Sequence, residues 1–299
     1  MALFDLKTHL DGLYDEKQVL DILESFDKPK DICVFINTLK SNELDFEELL
    51  KQVDIAFVKL DKYCYKIDHK DKNTLTRLKA FELGYFYVQN YSSYLCAKNL
   101  NVKPNESVLD MCAAPGGKSI NLANFMENQG YLACVEASKD RFFVLKKNLQ
   151  NYGVKIAKCF LKDAKSIGKI CPSKFDKILL DAPCSTFAKS GFLIQKNLKE
   201  IKQISNLQKR LLNSALKALK QDGELIYSTC TFTRYENEEV LENALNGEIK
   251  IEILDLNLDK IEAVAAKSSE FDALKKAKRI LPNNLNDGFF ICKIKKKSL

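Results

Sequence analysis

Cys184 and Cys230 each follow an apolar, strand-like run. Cys184 stands in Leu180-Asp181-Ala182-Pro183-Cys184-Ser185, behind Lys177-Ile178-Leu179-Leu180. Cys230 stands in Tyr227-Ser228-Thr229-Cys230-Thr231, behind Glu224-Leu225-Ile226-Tyr227. A third run, Val108-Leu109-Asp110-Met111, leads into Cys112-Ala113-Ala114-Pro115-Gly116-Gly117-Lys118-Ser119. In an open α/β sheet, ligands bind outside the carboxyl ends of the strands, so all three segments are expected to face one crevice. One would hold a cofactor and two would present thiols. A thiol is intrinsically nucleophilic and partly ionised near neutral pH, which suits covalent group transfer.

The glycine turn narrows the cofactor. Pro115-Gly116-Gly117 follows a strand and opens a helix, where bare backbone approaches a ligand closely and the helix N-terminus favours an anion. A phosphate-binding P-loop needs glycine where Cys112 stands, and no G-x-G-x-x-G fingerprint is present. Glu136 ends the next strand-like run, where a carboxylate can accept from ribose hydroxyls. Asp163 follows the run after that, placed to receive an adenine amino group. Ribose and adenine without phosphate point to S-adenosylmethionine. With two thiols beside it, the site reads as covalent methyl transfer to a pyrimidine ring. Carbon 5 of cytosine is a poor nucleophile. A thiolate adding to carbon 6 makes the ring enamine-like, carbon 5 then attacks a sulfonium methyl, and a base removes the carbon-5 proton so that the thiolate is eliminated. A free thiol has a pKa of about 8.5, so a positive field is needed, and Lys118 and the sulfonium are the candidates. Asp181 could hydrogen-bond the ring at N3 or at its amino group.

The elements that would position these groups alternate. From residue 73 onward, strand-like runs fall at 106–111, 131–136, 154–160, 175–181, 223–228, 249–254 and 288–294, with helical stretches including 138–150, 196–219 and 236–245. Repeated β-α-β predicts a mostly parallel sheet with helices on both faces. The turn signal Asp287-Gly288 sets the last strand antiparallel. The expected fold is α/β, a Rossmann-like sheet of seven strands, six parallel and one antiparallel, over residues 73–299. Residues 1–72 read as a small α+β unit. There Asp15 caps a helix bearing Val19, Leu20, Ile22, Leu23 and Phe26, Ile32–Ile36 reads as a strand, and Asp45 caps a second helix. Residues 61–79 read as a mixed-charge link. The tail Lys293-Ile294-Lys295-Lys296-Lys297 reads as a fraying basic end.

The chain has 299 residues, 46% hydrophobic, ample for one large domain plus a small one. No apolar stretch approaches the ~20 residues of a membrane span, and there is no signal-peptide pattern, so a soluble cytoplasmic monomer is expected. The ten cysteines form no C-x-x-C pair and there are two histidines, which argues against a structural zinc and for reduced thiols. The net charge of +7 is uneven: residues 1–60 carry 13 acids against 7 Lys/Arg, a net of −6, leaving +13 for the remainder. Such asymmetry suits a polyanion partner for the larger part.

These motifs resemble the Sun (Fmu) family of RNA cytosine-5 methyltransferases. The likeness includes Gly84-Tyr85-Phe86-Tyr87-Val88-Gln89-Asn90, Asp140-Arg141 followed by Leu145 and Asn148, Gln208, Glu236-Asn237-Glu238, Arg279-Ile280-Leu281-Pro282 and Asp287-Gly288-Phe289-Phe290. It covers residues 80–294 with specific motifs. The N-terminal unit looks like the family's small RNA-recognition-like domain. The resemblance implies that Cys112, Ala113, Ala114, Pro115, Gly116, Gly117 and Lys118 form the S-adenosylmethionine loop. Glu136 would bind ribose, Asp163 would contact adenine, and Arg141 would lie near the cofactor. Asp181 would lie beside both the base and the methyl donor. Cys230 is implied as nucleophile, with Cys184 assisting product release. Two positions depart from the pattern: Thr186 stands where the family has glycine, and Asn283 where it often has histidine.

The partner implied is RNA with a single-stranded or flipped-out target, 16S ribosomal RNA on the resemblance to bacterial members, with transfer RNA as the alternative. Amino-group methyltransferases carry Asp/Asn-Pro-Pro-aromatic where this chain has Asp181-Ala182-Pro183-Cys184. DNA cytosine methyltransferases keep their nucleophile in a Pro-Cys pair like Pro183-Cys184 but lack the Tyr-Ser-Thr-Cys run. A non-catalytic RNA-binding factor on the same scaffold would not need both cysteines.

Overall fold

The computed structural model describes residues 3–258 and 261–298. The four strands β1 (Ile32–Ile36), β2 (Phe57–Asp61), β3 (Cys64–Ile67) and β4 (Phe86–Gln89) form a small antiparallel sheet in the order β2-β3-β1-β4. With the helix Glu43–Gln52 after β1 and the short helices Lys72–Arg77 and Lys79–Glu82 before β4, this is a β-α-β-β-α-β unit. Its core joins Val34, Ile36, Phe46, Leu50, Tyr65 and Phe86.

The boundary expected at residue 72 shifts. Strand β4 pairs with the central β1, so the small sheet runs to residue 89. The two N-terminal helices, Leu6–Asp11 and Glu16–Ser25, leave that sheet. They pack Leu10, Val19 and Ile22 against Phe187, Ile201 and Phe232 of the larger unit. Asp15 caps Glu16–Ser25 as expected, in a reciprocal box with Gln18. The cap of Glu43–Gln52 is Asn42 rather than Asp45: the Asn42 side chain accepts the Asp45 backbone N–H.

The large sheet holds β5 (Ser107–Asp110), β6 (Tyr131–Glu136), β7 (Ala157–Leu161), β8 (Phe175–Asp181), β9 (Leu219–Thr229), β10 (Ile251–Leu254), β11 (Ala263–Ala265), β12 (Lys278–Ile280) and β13 (Phe289–Lys296). The order is β11-β12-β13-β9-β8-β5-β6-β7, with β10 also pairing β13. Neighbours among β5–β9 are parallel, and β13 runs against β9 and β10. The sheet therefore has nine strands, not seven: β11 and β12 add a short antiparallel pair on the edge β13 shares with β10. Alternation sends Val108, Leu132, Leu179 and Ile226 to one face, against helices Tyr91–Leu100, Gly117–Phe125 and Lys139–Asn151. Leu109, Val135, Ile178 and Tyr227 go to the other, against helices Leu198–Ala218 and Glu238–Leu245. The basic tail does not fray. Lys293, Lys295 and Lys296 lie in β13, and the buried Lys296 Nζ donates to Leu219 O at 2.7 Å. Among the described residues no helix is long and apolar enough to cross a membrane.

His9 ties the first helix to the larger unit. Its Nε2 accepts the Arg234 backbone N–H at 3.0 Å, and its ring stacks on Tyr235. Burial, with Arg279 and Arg234 adding, depresses its pKa from 6.5 to about 4. A depressed histidine contributes stability that is full above its unfolded pKa and is lost as pH falls from 6.5 toward 4. Between pH 7 and 5 the native chain should lose about 2 kcal/mol more than His9→Gln, as read from urea unfolding of both. Equal losses would show that His9 does not titrate this way.

Candidate active site

The order of strands reverses between β5 and β8, and the chain segments leaving these two strands face each other there. Register sets Asp181, the last residue of β8, opposite Ser228 of β9, whose hydroxyl donates to Asp181 Oδ1 at 2.8 Å. Lys118, in the first turn of the helix after β5, donates to Asp181 Oδ2 at 2.7 Å and to Ser93 Oγ at 3.1 Å. Burial alone would lower the pKa of this ammonium. Asp181, with Cys96 and Asp110 adding, outweighs burial and holds it above the ordinary lysine value, so Lys118 stays cationic.

The loops after β8 and β9 are laced together by Ala182 N–H to Ser228 O at 2.9 Å and Ala188 N–H to Cys230 O at 3.2 Å. They bring the Cys184 and Cys230 sulfurs to 3.3 Å. The hydrogen bond from Cys184 lowers the Cys230 thiol, with Lys118 and Lys189 adding against burial and Asp181. The same bond raises Cys184, as do burial and Glu236. The contact therefore favours Cys230 over Cys184 as the thiol of the pair that ionises first.

Beside this pair lies a cavity of 180 Å³ lined by Tyr87, Gln89, Asp110, Cys112, Lys118 and Asp181, among others. Both polar atoms of the Gln89 amide and Asp110 Oδ1 are buried without a partner. Buried polar atoms without protein partners leave bonding capacity that a ligand in the cavity can fill. Burial pushes Asp110 up to about 6, against the opposing bond from Ser119, so a cation seated beside it would favour its charged form. Gly116 has φ +115°, and a Cβ on Gly117 would meet the Tyr87 ring at 2.8 Å, so bare backbone is needed there. The donor set fits S-adenosylmethionine: acceptors for an ammonium and bare backbone for close approach.

The cofactor residues expected from sequence divide. Cys112, Ala113, Ala114, Pro115, Gly117, Lys118 and Asp181 line the cavity, with Gly116 in the same turn. Glu136 is buried at the end of β6 outside that lining, and its Oε1 accepts the Ser138 N–H at 2.9 Å. Arg141 donates to Ala114 O at 2.6 Å and lies 3.6 Å from Glu136 Oε2, tying loop to acid. Asp163 sits exposed after β7, bonded to the Lys165 backbone N–H at 2.9 Å and paired with its ammonium at 3.0 Å. Sequence reasoning gives no role to Gln89, Ser93, Asp110, Ser228 or Lys189. Asp110 carries a signal, as the acid ending a strand; Gln89 lies in the run 84–90 that the resemblance includes but that gave it no role, and Ser93 has no local pattern to mark it.

The family described as 16S rRNA methyltransferase RsmB/F matches residues 97–295. The tRNA (cytosine(49)-C(5))-methyltransferase of Pyrococcus abyssi is 36% identical over 285 residues, covering 90% of this chain and 89% of that protein. Ribosomal RNA small subunit methyltransferase F of Vibrio cholerae is 32% identical over 297 residues, covering 95% of this chain and 61% of that protein. A solved structure of a methyltransferase homologue from Pyrococcus horikoshii is similar at a TM-score of 0.84 and 32% identity, over 97% of this chain and 93% of that one.

Proposed function

This chain belongs to the Sun (RsmB/F) family of RNA cytosine-C5 methyltransferases, and we propose from that premise that it methylates carbon 5 of a cytidine through a covalent cysteine adduct. S-adenosylmethionine, when bound, supplies an electrophilic methyl group on a sulfonium. The proposed holders are the loop Cys112–Lys118, Glu136 and, after local rearrangement of its Lys165 pair, Asp163. Cys230 adds to carbon 6, Asp181 hydrogen-bonds the ring, and Lys118 supplies the positive field. Cys184, once it has released its own proton to solvent, takes part in removing the carbon-5 proton, after which the Cys230–C6 bond breaks and the ring double bond returns. The observation that carries this reading is the pair of sulfurs 3.3 Å apart beside the Lys118–Asp181 pair.

The substrate proposed is 16S ribosomal RNA, on the family match. The P. abyssi relative, a tRNA enzyme, supports the transfer RNA alternative. Incubation with methyl-labelled S-adenosylmethionine and total RNA, followed by bisulfite sequencing, tests both. A labelled 5-methylcytidine in the small-subunit RNA is expected. Label confined to transfer RNA replaces the substrate and keeps the chemistry. Calorimetry showing ATP binding without S-adenosylmethionine binding overturns the cofactor.

A further inference from the structure

Glu236 reaches both cysteine loops although it stands six positions beyond Cys230 in the chain. Its side chain is 0% exposed. Oε1 accepts the Ser185 backbone N–H at 2.7 Å and the Gln208 amide at 3.3 Å. Oε2 accepts the hydroxyls of Ser185 at 2.6 Å, Thr233 at 2.7 Å and Thr231 at 3.4 Å. Ser185 follows Cys184 and Thr231 follows Cys230, and their two hydroxyls are themselves 2.7 Å apart. The Gln208 amide also donates to Pro183 O at 2.9 Å, gripping the first loop on the other side of its cysteine. The backbone of Glu236 is fixed in turn, because Tyr227 OH donates to its carbonyl at 2.6 Å.

A carboxylate that only capped the turn Arg234–Glu236 would need Thr233 alone. The bonds to Ser185 and Thr231 do something else: they fix the residue after one sulfur relative to the residue after the other. Hydrogen bonds to a buried carboxylate are short and strong, and removing it leaves every donor unsatisfied. We propose that Glu236 is a positioning residue, a buried latch that sets the separation of the Cys184 and Cys230 thiols. The proposal rests on the two-cysteine chemistry above. Without the latch the loops drift, the 3.3 Å contact between the two sulfurs is lost, and with it the lowering of the Cys230 thiol. The carboxylate's bonds go to Ser185, Gln208, Thr231 and Thr233, all outside the loop Cys112–Lys118, so cofactor affinity is expected to be independent of it.

The test uses the full chain and RNA carrying 5-fluorocytidine, which traps the adduct because carbon 5 has no proton to lose. The rate of adduct formation is followed against pH, and S-adenosylmethionine affinity is measured by calorimetry. Glu236→Ala should slow trapping about 100-fold, the scale of a misplacement near 1 Å. Its acidic limb should move up by about one pH unit, a tenfold loss of thiolate, with cofactor affinity kept. Glu236→Gln should recover most of the rate, since its carbonyl still accepts from Ser185 N–H and the hydroxyls can turn to accept from its amide. Ser185→Ala removes one arm of the latch and leaves the carboxylate other donors, so it serves where Glu236→Ala does not fold; slowed trapping with intact cofactor binding is expected. Wild-type trapping in a folded Glu236→Ala or Ser185→Ala chain overturns the latch. Parallel loss of cofactor binding in Ser185→Ala does the same, because it marks a general packing role. Failure of the wild type itself to trap overturns the two-cysteine reading, a different result from unaffected variants.

Discussion

Cys230→Ala should abolish methyl transfer and form no covalent bond to RNA, whereas Cys184→Ala should accumulate a protein–RNA adduct that survives denaturing electrophoresis. The two outcomes follow from which thiol ionises first. The sulfurs stand 3.3 Å apart, their contact lowers the Cys230 thiol and raises that of Cys184, and Lys118 and Lys189 add positive field on the Cys230 side. Deleting the nucleophile removes the route altogether, and turnover should fall at least ~10⁴-fold. Deleting Cys184 leaves addition possible but slower below neutral pH, because the Cys230 thiolate loses its hydrogen bond. Elimination suffers more: a positioned proton acceptor is worth roughly 10²–10⁴-fold. The adduct therefore forms faster than it resolves. Peptide mapping of wild-type protein trapped on 5-fluorocytidine RNA decides the roles. A cross-link at Cys184 inverts them; no adduct from any form removes covalent catalysis.

What the sequence made legible was the part of the fold written in alternation. Strands β5 to β9 announce themselves as apolar runs, and chemistry-bearing residues sit where runs end: Glu136 closing β6, Asp181 closing β8, Cys230 just after β9. Strands β11 and β12 were not legible, because Ala263-Val264-Ala265 and Lys278-Arg279-Ile280 are too short to show a period. The small sheet was cut short because β4 stands well beyond β3 in the chain, and only pairing with β1 reveals that it belongs. The N-terminal helices looked like part of that unit because their apolar stripe does not say which surface it meets. Asp163 follows β7 as the strand-end argument expects, with its carboxylate engaged by Lys165, a neighbour the sequence did not single out. Glu236 had no local signal of role: its partners are assembled by β8, β9 and the helix Leu198–Ala218. At Thr186 the turn is kept despite the side chain: its φ is +62°, the left-handed backbone that glycine takes without strain and a β-branched residue takes at a cost.

Lys118→Met should leave a folded chain whose chemistry has moved to higher pH. The Lys118–Asp181 pair is partly exposed on the Asp181 side, at 30%, so its loss should cost roughly 2 kcal/mol of stability, less than the roughly 3–5 kcal/mol of a fully buried pair. The catalytic effect is larger because it compounds. Lys118 lowers the Cys230 thiol and Asp181 raises it, so removing the cation leaves the carboxylate's influence uncompensated. Both changes raise the Cys230 pKa and act in one direction: the acidic limb of adduct formation moves to higher pH, and every pH unit it moves removes about nine-tenths of the thiolate present below the limb. A loss near ~100-fold at neutral pH, recovering as pH rises, is expected. Lys118→Arg keeps a charge and should hold the limb closer to its native position. Iodoacetamide alkylation of Cys230 against pH gives the same information without RNA or cofactor. If Lys118→Met binds the cofactor, stays folded and alkylates with an unchanged pH profile, the positive field at Cys230 comes from somewhere other than Lys118.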